Sequence, residues 1–321
     1  MKLFKKILWW LLGIVAFIVL TGVILSFWPS PYKNHHKGLT PEEAAAMRQE
    51  YSGPHNTFTT SDGETLFLRR WNPDSVVAEK ADIAVLLCHG ITAHSGAYEM
   101  AGVPISEAGY TVFGLDYRGH GLSDGNRGDA PNKERWIEDL AESVKYVKSL
   151  GYKRIVVMGH SLGMAAAICA AMKVPDELAG VILLSGAYES KTGNSVDLLS
   201  TFQKARIISS AVFRPSHQAV EYYREGMLGI DDPLFSYKYT FRFMTLLDVK
   251  QLHIPESLKA PLLVAVGDQD EMFDVDKVRD FYDQVPGNNK KFLVWKGATH
   301  AEIKREHWEQ VVNWLDRKFV L

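Results

Sequence analysis

A serine flanked by two glycines, in Gly159-His160-Ser161-Leu162-Gly163, is the first place where this chain could form a covalent bond to a substrate. The spacing G-x-S-x-G sets a serine at the tip of a strand–turn–helix corner in many enzymes. A serine hydroxyl is a weak nucleophile near neutral pH and needs a base to take its proton as it attacks. Histidine suits that task, its unperturbed pKa being about 6.5, and a carboxylate can fix the imidazole tautomer. Ser161 therefore predicts an acid and a histidine downstream, each at the end of a strand.

Both are present. Asp268-Gln269-Asp270 follows the apolar run at 261–267, and Lys296-Gly297-Ala298-Thr299-His300 follows the run at 291–295. Asp270 is the expected acid, with Asp268 and Asp274 as rivals; His300 is the expected base, with His307 as a rival placed on a helix surface. Charge developing on a carbonyl oxygen also needs N–H donors. The expected ones are the backbone N–H of Leu162, just after the serine, and of Ile91, in the Cys88-His89-Gly90-Ile91 loop that follows the run at 83–88.

These residues need a frame that brings strand ends together. Short apolar runs recur at 83–88, 111–116, 154–159, 180–186, 261–267 and 291–295. Their length, β-branched content and lack of alternation fit strands buried on both faces. Helical stripes lie between them, as in Trp136, Leu140, Val144 and Val147, or Val275, Val278, Phe281 and Val285, or Trp308, Val311 and Leu315. Alternating strand and helix predicts a mostly parallel, doubly wound α/β sheet. Asp62-Gly63 between 58–60 and 65–68 marks a hairpin ahead of it, and a short helix is expected near 41–51. The alternation breaks at 189–259, where Leu198, Phe202, Ile207, Ile208, Val212 and Phe213 make the segment too apolar for a linker. It is expected to form a mostly helical cap over the carboxyl ends of the strands, where open α/β sheets bind ligands.

The N-terminus adds a membrane element. Residues 7–28 carry no charge between Lys6 and Lys33, with Trp9, Trp10 and Trp28 near the ends. That length suffices to cross a hydrocarbon core of about 30 Å, and tryptophan favours the interface. The run ends in Ser26-Phe27-Trp28-Pro29 without a small-residue cleavage site, which favours an uncleaved anchor over a signal peptide. Lys2, Lys5 and Lys6 argue for a cytoplasmic N-terminus and an extracytoplasmic body, although Lys33 and Lys37 dilute the bias. Pro29-Ser30-Pro31 reads as a stiff exit from the helix. The lysines and arginines of the body are scattered at a net charge of −2, without the basic face that nucleic acid requires. The two cysteines, Cys88 and Cys169, lie far apart in apolar segments and read as buried free thiols.

The segment 89–125, with GHSLG at 159–163, GDQD at 267–270 and GATH at 297–300, resembles the α/β-hydrolases, and more narrowly their monoacylglycerol lipase/lysophospholipase branch. Asp232-Pro233-Leu234 resembles a motif of that branch's cap. The chain order serine, acid, histidine is the one this fold's hydrolases use. The resemblance implies a triad of Ser161, Asp270 and His300, an oxyanion hole at Ile91 and Leu162, an acyl-enzyme released by water, and no cofactor or metal. With the apolar N-terminal run and the broken alternation, the residues divide the chain into an anchor at 1–28, a linker with a short helix at 29–57, a core at 58–188 and 260–321, and a cap at 189–259. The apolar cap and the membrane anchor together point to a lipid-derived monoester as substrate, a lysophospholipid or monoacylglycerol. A general carboxylesterase or thioesterase would use the same attack, and a non-catalytic binding protein could keep the same fold. Dehalogenases and epoxide hydrolases of this fold would need an aspartate at position 161. Four positions depart from the branch: Ala93 and Ala97 stand where an acid and an arginine are typical, Ile91 is bulkier than the small residue often found there, and Met164 replaces a small residue. His94 and Ser95 are retained, in a role that orders their loop.

Overall fold

The computed structural model describes residues 2–30, 38–191, 199–223, 227, 229–247 and 252–321; Pro31, Lys33, Lys37 and Leu198 lie outside the described residues. In chain order the strands are β1 (His55–Thr59), β2 (Thr65–Trp71), β3 (Ile83–Cys88), β4 (Thr111–Asp116), β5 (Arg154–His160), β6 (Leu178–Leu184), β7 (Val220–Glu221), β8 (Lys238–Tyr239), β9 (Leu262–Gly267) and β10 (Lys290–Trp295). The helices are α1 (Lys2–Ser26), α2 (Pro41–Glu50), α3 (Glu99–Glu107), α4 (Lys133–Ser149), α5 (Leu162–Lys173), α6 (Thr201–Phe213), α7 (Phe241–Met244), α8 (Val275–Gln284) and α9 (Arg305–Phe319). Eight strands form one sheet in the order β1-β2-β4-β3-β5-β6-β9-β10, antiparallel at β1/β2 and β2/β4 and parallel elsewhere.

The apolar runs form strands because both sheet faces are covered. Along β3, Ala84, Leu86 and Cys88 pack on one side, while Ile83, Val85 and Leu87 pack on the other. The first side is closed by α4, α5 and α8, through Trp136, Ala166 and Phe281 among others. The second is closed by α3 and α9, through Ile105, Trp308 and Trp314. Each fully buried Val, Leu or Ile adds about 1.5–3 kcal/mol of transfer free energy, so a six-residue strand buried throughout is strongly driven inward. The hairpin forms where expected: Thr60 N–H donates to the Glu64 carbonyl at 2.8 Å, and Gly63 takes φ +98°.

Between β6 and β9 the described residues hold α6, the two-stranded ribbon β7/β8 and the short α7. This insertion does lie over the carboxyl ends of the strands. Thr240 N–H donates to the Gly128 carbonyl at 3.0 Å, and Arg242 Nε donates to Asp129 Oδ1 at 2.8 Å. Asp129 is buried, which opposes its charge, but hydrogen bonds from Arg242 and Thr240 hold its pKa below the usual carboxylate range. Helix α1 is long and apolar enough to cross a membrane, and its side chains are exposed over almost its full length.

A network of ion pairs joins the hairpin to the core. Arg118 is 4% exposed and donates from Nε and Nη2 to Asp139 of α4, at 2.8 and 2.9 Å, while Nη2 also reaches Asp62 at 2.8 Å. Asp139→Ala should leave the guanidinium buried with Asp62 as its main partner. The expected loss in unfolding free energy is at the lower end of the about 3–5 kcal/mol typical for breaking a buried pair, measured by denaturation in detergent. A loss within experimental error would remove the pair from the hairpin's support.

Candidate active site

Strand β5 ends at His160 and α5 begins at Leu162, so Ser161 occupies the corner alone, with φ +57° and ψ −120°. This backbone conformation is unfavourable for a residue with a Cβ and persists only where its surroundings impose it. Two contacts show what imposes it. A Cβ added at Gly159 would lie 1.8 Å from the Gly163 carbonyl oxygen, and one added at Gly163 would lie 2.0 Å from the Cys88 carbonyl oxygen. Both glycines of G-x-S-x-G are therefore required by backbone-to-backbone contact, as the helix start is pressed against the ends of β5 and β3. Met164, the departure beside them, is buried and packs its sulfur against Gly186.

The β9/β10 register pairs Gly267 with Trp295, so the loops carrying the acid and the histidine leave the sheet at one level. His300 Nε2 lies 3.1 Å from Ser161 Oγ, and His300 Nδ1 lies 3.1 Å from Asp270 Oδ2. Asp270 is 1% exposed, and its Oδ1 accepts the N–H groups of Met272 and Phe273 at 2.8 and 2.9 Å. Burial opposes its ionisation, yet the bond to His300 and these two N–H donors hold its pKa below the ordinary value. The rivals serve elsewhere. Asp268 Oδ1 accepts the Gly297 N–H at 2.7 Å, and Asp274 pairs with Lys191 at 3.1 Å. His307, expected on a surface, is instead 2% exposed; it stacks on Trp295 and its Nδ1 accepts the Lys304 N–H. Its helical stripe position made it part of the buried face.

The loop after β3 reaches the serine because Cys88 pairs with Gly159 across β3/β5. A Cβ on Gly90 would come within 3.3 Å of Ser161 Cβ, which brings Ile91 next to the corner. Leu162 opens α5, so its N–H is among the four at a helix start that lack an intrahelical acceptor. Thr92 turns the loop at φ +69° and is held by the insertion: its N–H donates to Tyr239 Oη at 2.8 Å and its carbonyl accepts the Ser236 N–H at 2.8 Å. His94 accepts the Gly96 N–H on Nδ1 and pairs through Nε2 with Asp232 at 3.0 Å. It orders this loop and ties it to Asp232-Pro233-Leu234. Ser95 donates its N–H to the buried Asp116 at 2.6 Å.

A second relay was not foreseen from the residues. The His300 carbonyl can only accept, so His160 Nε2–H donates to it at 2.9 Å. His160 Nδ1 is then an acceptor for Tyr98 Oη–H at 2.7 Å, and Tyr98 Oη accepts the Gly90 N–H at 2.8 Å. Burial, and then the nearby His300, lower the His160 pKa to about 3, so it stays neutral and adds no charge beside His300. The relay joins the loop after β3, the serine corner and the histidine loop. His160 lies inside the quoted motif, but no sequence spacing points from it to Tyr98.

The family model described as "Serine aminopeptidase, S33" (Hydrolase_4) matches residues 79–306. The monoglyceride lipase of Rattus norvegicus is 24% identical over 88% of this chain and 97% of its own length. The monoacylglycerol lipase of Mycolicibacterium smegmatis is 24% identical over 84% of this chain and 95% of its own. Among solved structures, a soluble variant of Saccharomyces cerevisiae monoglyceride lipase superposes with a TM-score of 0.67 at 19% identity, covering 92% of this chain and all (100%) of that one. At that identity the likeness speaks for the fold.

Tyr98→Phe should leave the Gly90 N–H and His160 Nδ1 unpaired in a buried setting. The expected cost is about 1–3 kcal/mol per unsatisfied group, read as a lower thermal midpoint in detergent together with a reduced kcat. An unchanged midpoint and kcat would mean that the relay supports nothing.

Proposed function

The chain belongs to the Hydrolase_4 family, and from that premise we propose that Ser161, His300 and Asp270 are the nucleophile, base and acid of a membrane-anchored lipase for lipid-derived monoesters. Ester hydrolysis by a serine enzyme follows from the family and its relatives. The observation that carries the residue assignment is the unbroken chain Ser161 Oγ–His300–Asp270, with 3.1 Å at each step.

In this reading His300 Nε2 takes the Ser161 proton as Oγ attacks the ester carbonyl. The N–H groups of Leu162 and Ile91 receive the developing oxyanion. His300 then protonates the leaving alcohol, and a water deprotonated by the same nitrogen releases the acid from the acyl-enzyme. Asp270 holds the Nδ1–H tautomer and stabilises the imidazolium. Its lowered pKa keeps it ionised throughout the neutral range, so it contributes no titration to activity there.

The monoester reading draws on the relatives' names, monoglyceride lipase and monoacylglycerol lipase, and on the apolar insertion over the site. Ala93 and Ala97 leave the usual acid and arginine out of the loop after β3, which weakens the case for glycerol as the leaving group. Helix α1 supports a single-pass anchor, with Lys2, Lys5 and Lys6 favouring an extracytoplasmic body. The proposed division is the anchor at 1–28, the linker at 29–57, the core at 58–188 and 260–321, and the cap at 189–259.

A fluorophosphonate probe should label the wild type and not Ser161→Ala; equal labelling of both would sink the nucleophile assignment. Asp270→Asn should lower kcat on the order of 10⁴-fold in a p-nitrophenyl ester assay, and near-normal turnover would move the acid elsewhere. A panel of monoacylglycerols, lysophospholipids and thioesters, compared by kcat/KM, tests the substrate class. A preference for short soluble esters or thioesters would replace the lipid reading.

A further inference from the structure

Helix α1 does not stand free of the body: its last turns are packed on α6 of the insertion. The contact begins with a backbone need. The final carbonyls of a helix lack intrahelical donors, and here Arg214, just past α6, gives Nη1–H to the Ser26 carbonyl at 3.0 Å. Its guanidinium also lies 4.4 Å from the centre of the Phe27 ring, a cation–π distance. Ser26 is 1% exposed, and Thr21, Gly22, Val23 and Leu25 before it are half-buried, whereas residues 2–20 are exposed. One turn earlier, Gly22 lets the helices approach: a Cβ there would fall 2.6 Å from the Phe213 ring. Small residues at such a crossing are how helices pack closely in lipid. Trp28 meets Phe202 edge to face at 5.9 Å.

This contact sets a level. Phe17, Ile18 and Leu25 of α1 share a shallow groove with Ile208, Val212 and Phe213 of α6. Those α6 side chains are outward-facing, Ile208 57% and Val212 67% exposed, while Arg206, Ile207 and Ser210 of the same helix face the interior. They lie beside the part of α1 that the anchor reading places in hydrocarbon. We propose that α1 and α6 form one membrane-embedded unit, in which the end of the anchor seats the cap helix so that Ile208, Val212 and Phe213 contact the acyl chains of the bilayer. The site under the cap then faces the lipid surface and takes its ester from there. This rests on the reading of α1 as an anchor.

The test uses the full chain in phosphatidylcholine liposomes, with single cysteines at Val212→Cys or Phe17→Cys carrying an NBD fluorophore; the native Cys88 and Cys169 are buried. Brominated lipid should quench both labels, and adding Gly22→Leu should reduce quenching of the Val212→Cys label alone. Quenching at Phe17→Cys without quenching at Val212→Cys overturns the seated cap and leaves the anchor standing. Quenching at neither overturns both. An NBD shift at Val212→Cys that grows with protein-to-lipid ratio, without quenching, means that a second copy covers α6 and also overturns the proposal. In kinetics, Ile208→Asp with Val212→Asp should raise KM for a bilayer-dispersed monoester by about tenfold or more. Hydrolysis of a soluble short-chain p-nitrophenyl ester should stay within about twofold of wild type. Equal loss on both substrates would assign these residues a structural role instead.

Discussion

The corner at Ser161 is the constraint on which the site depends. A side chain is held where backbone energetics disfavour one, and the hold consists of backbone packed on backbone: Gly159 on Gly163, and Gly163 on Cys88. No side chain could be inserted at either glycine without separating α5 from the sheet. The same closeness brings the start of α5 beside the loop after β3, so the proposed nucleophile and the proposed oxyanion donors share one mechanical origin. The all-parallel middle of the sheet supplies the rest, because strands pointing one way deliver the serine, acid and histidine loops to one edge. Electrostatics then complete it: an ionised Asp270 and a neutral His160 flank His300 from two sides, the first held charged by the hydrogen bonds it accepts and the second kept neutral by burial and the nearby His300.

How much was legible in the residues depended on how local the cause was. Strands β3 and β4 occupy the expected residues because burial on both faces leaves an unbroken apolar run with sharp polar ends. The triad residues were legible for a related reason, since a loop at the end of a buried strand has little freedom and its first polar residues must sit at the sheet edge. Asp270 could be chosen over Asp268 and Asp274 only by motif resemblance, whereas the structure separates them by which N–H groups each one accepts. His307 was misplaced because a helical stripe read with one residue's ambiguity turns a buried position into a surface one.

What stayed hidden was long-range. The link from Tyr98 to His160 spans residues far apart in the chain and leaves no periodicity, and neither type is unusual where it stands. The seating of α1 on α6 is the same kind of fact: the long apolar helix was visible as composition, and Phe202, Ile208 and Val212 were visible as an apolar excess, but nothing in either segment names the other. Gly22 reads as an ordinary glycine of an apolar helix until its neighbour is known. The polar network of Arg118, Asp139 and Asp62 was likewise invisible to patterns built on hydrophobicity, although it joins the first hairpin to the core.

Thr92 stands between two parts that are often treated as exchangeable. Its N–H and carbonyl are both taken by the insertion, at Tyr239 and Ser236, and it is the residue next to Ile91. The insertion therefore supplies two of the fixings of the loop that carries Ile91, the proposed oxyanion donor. A cap transplanted from another hydrolase would have to reproduce those two hydrogen bonds before its new walls could matter. In the proposed mechanism, the segment that lines the site also fixes the loop of its donor.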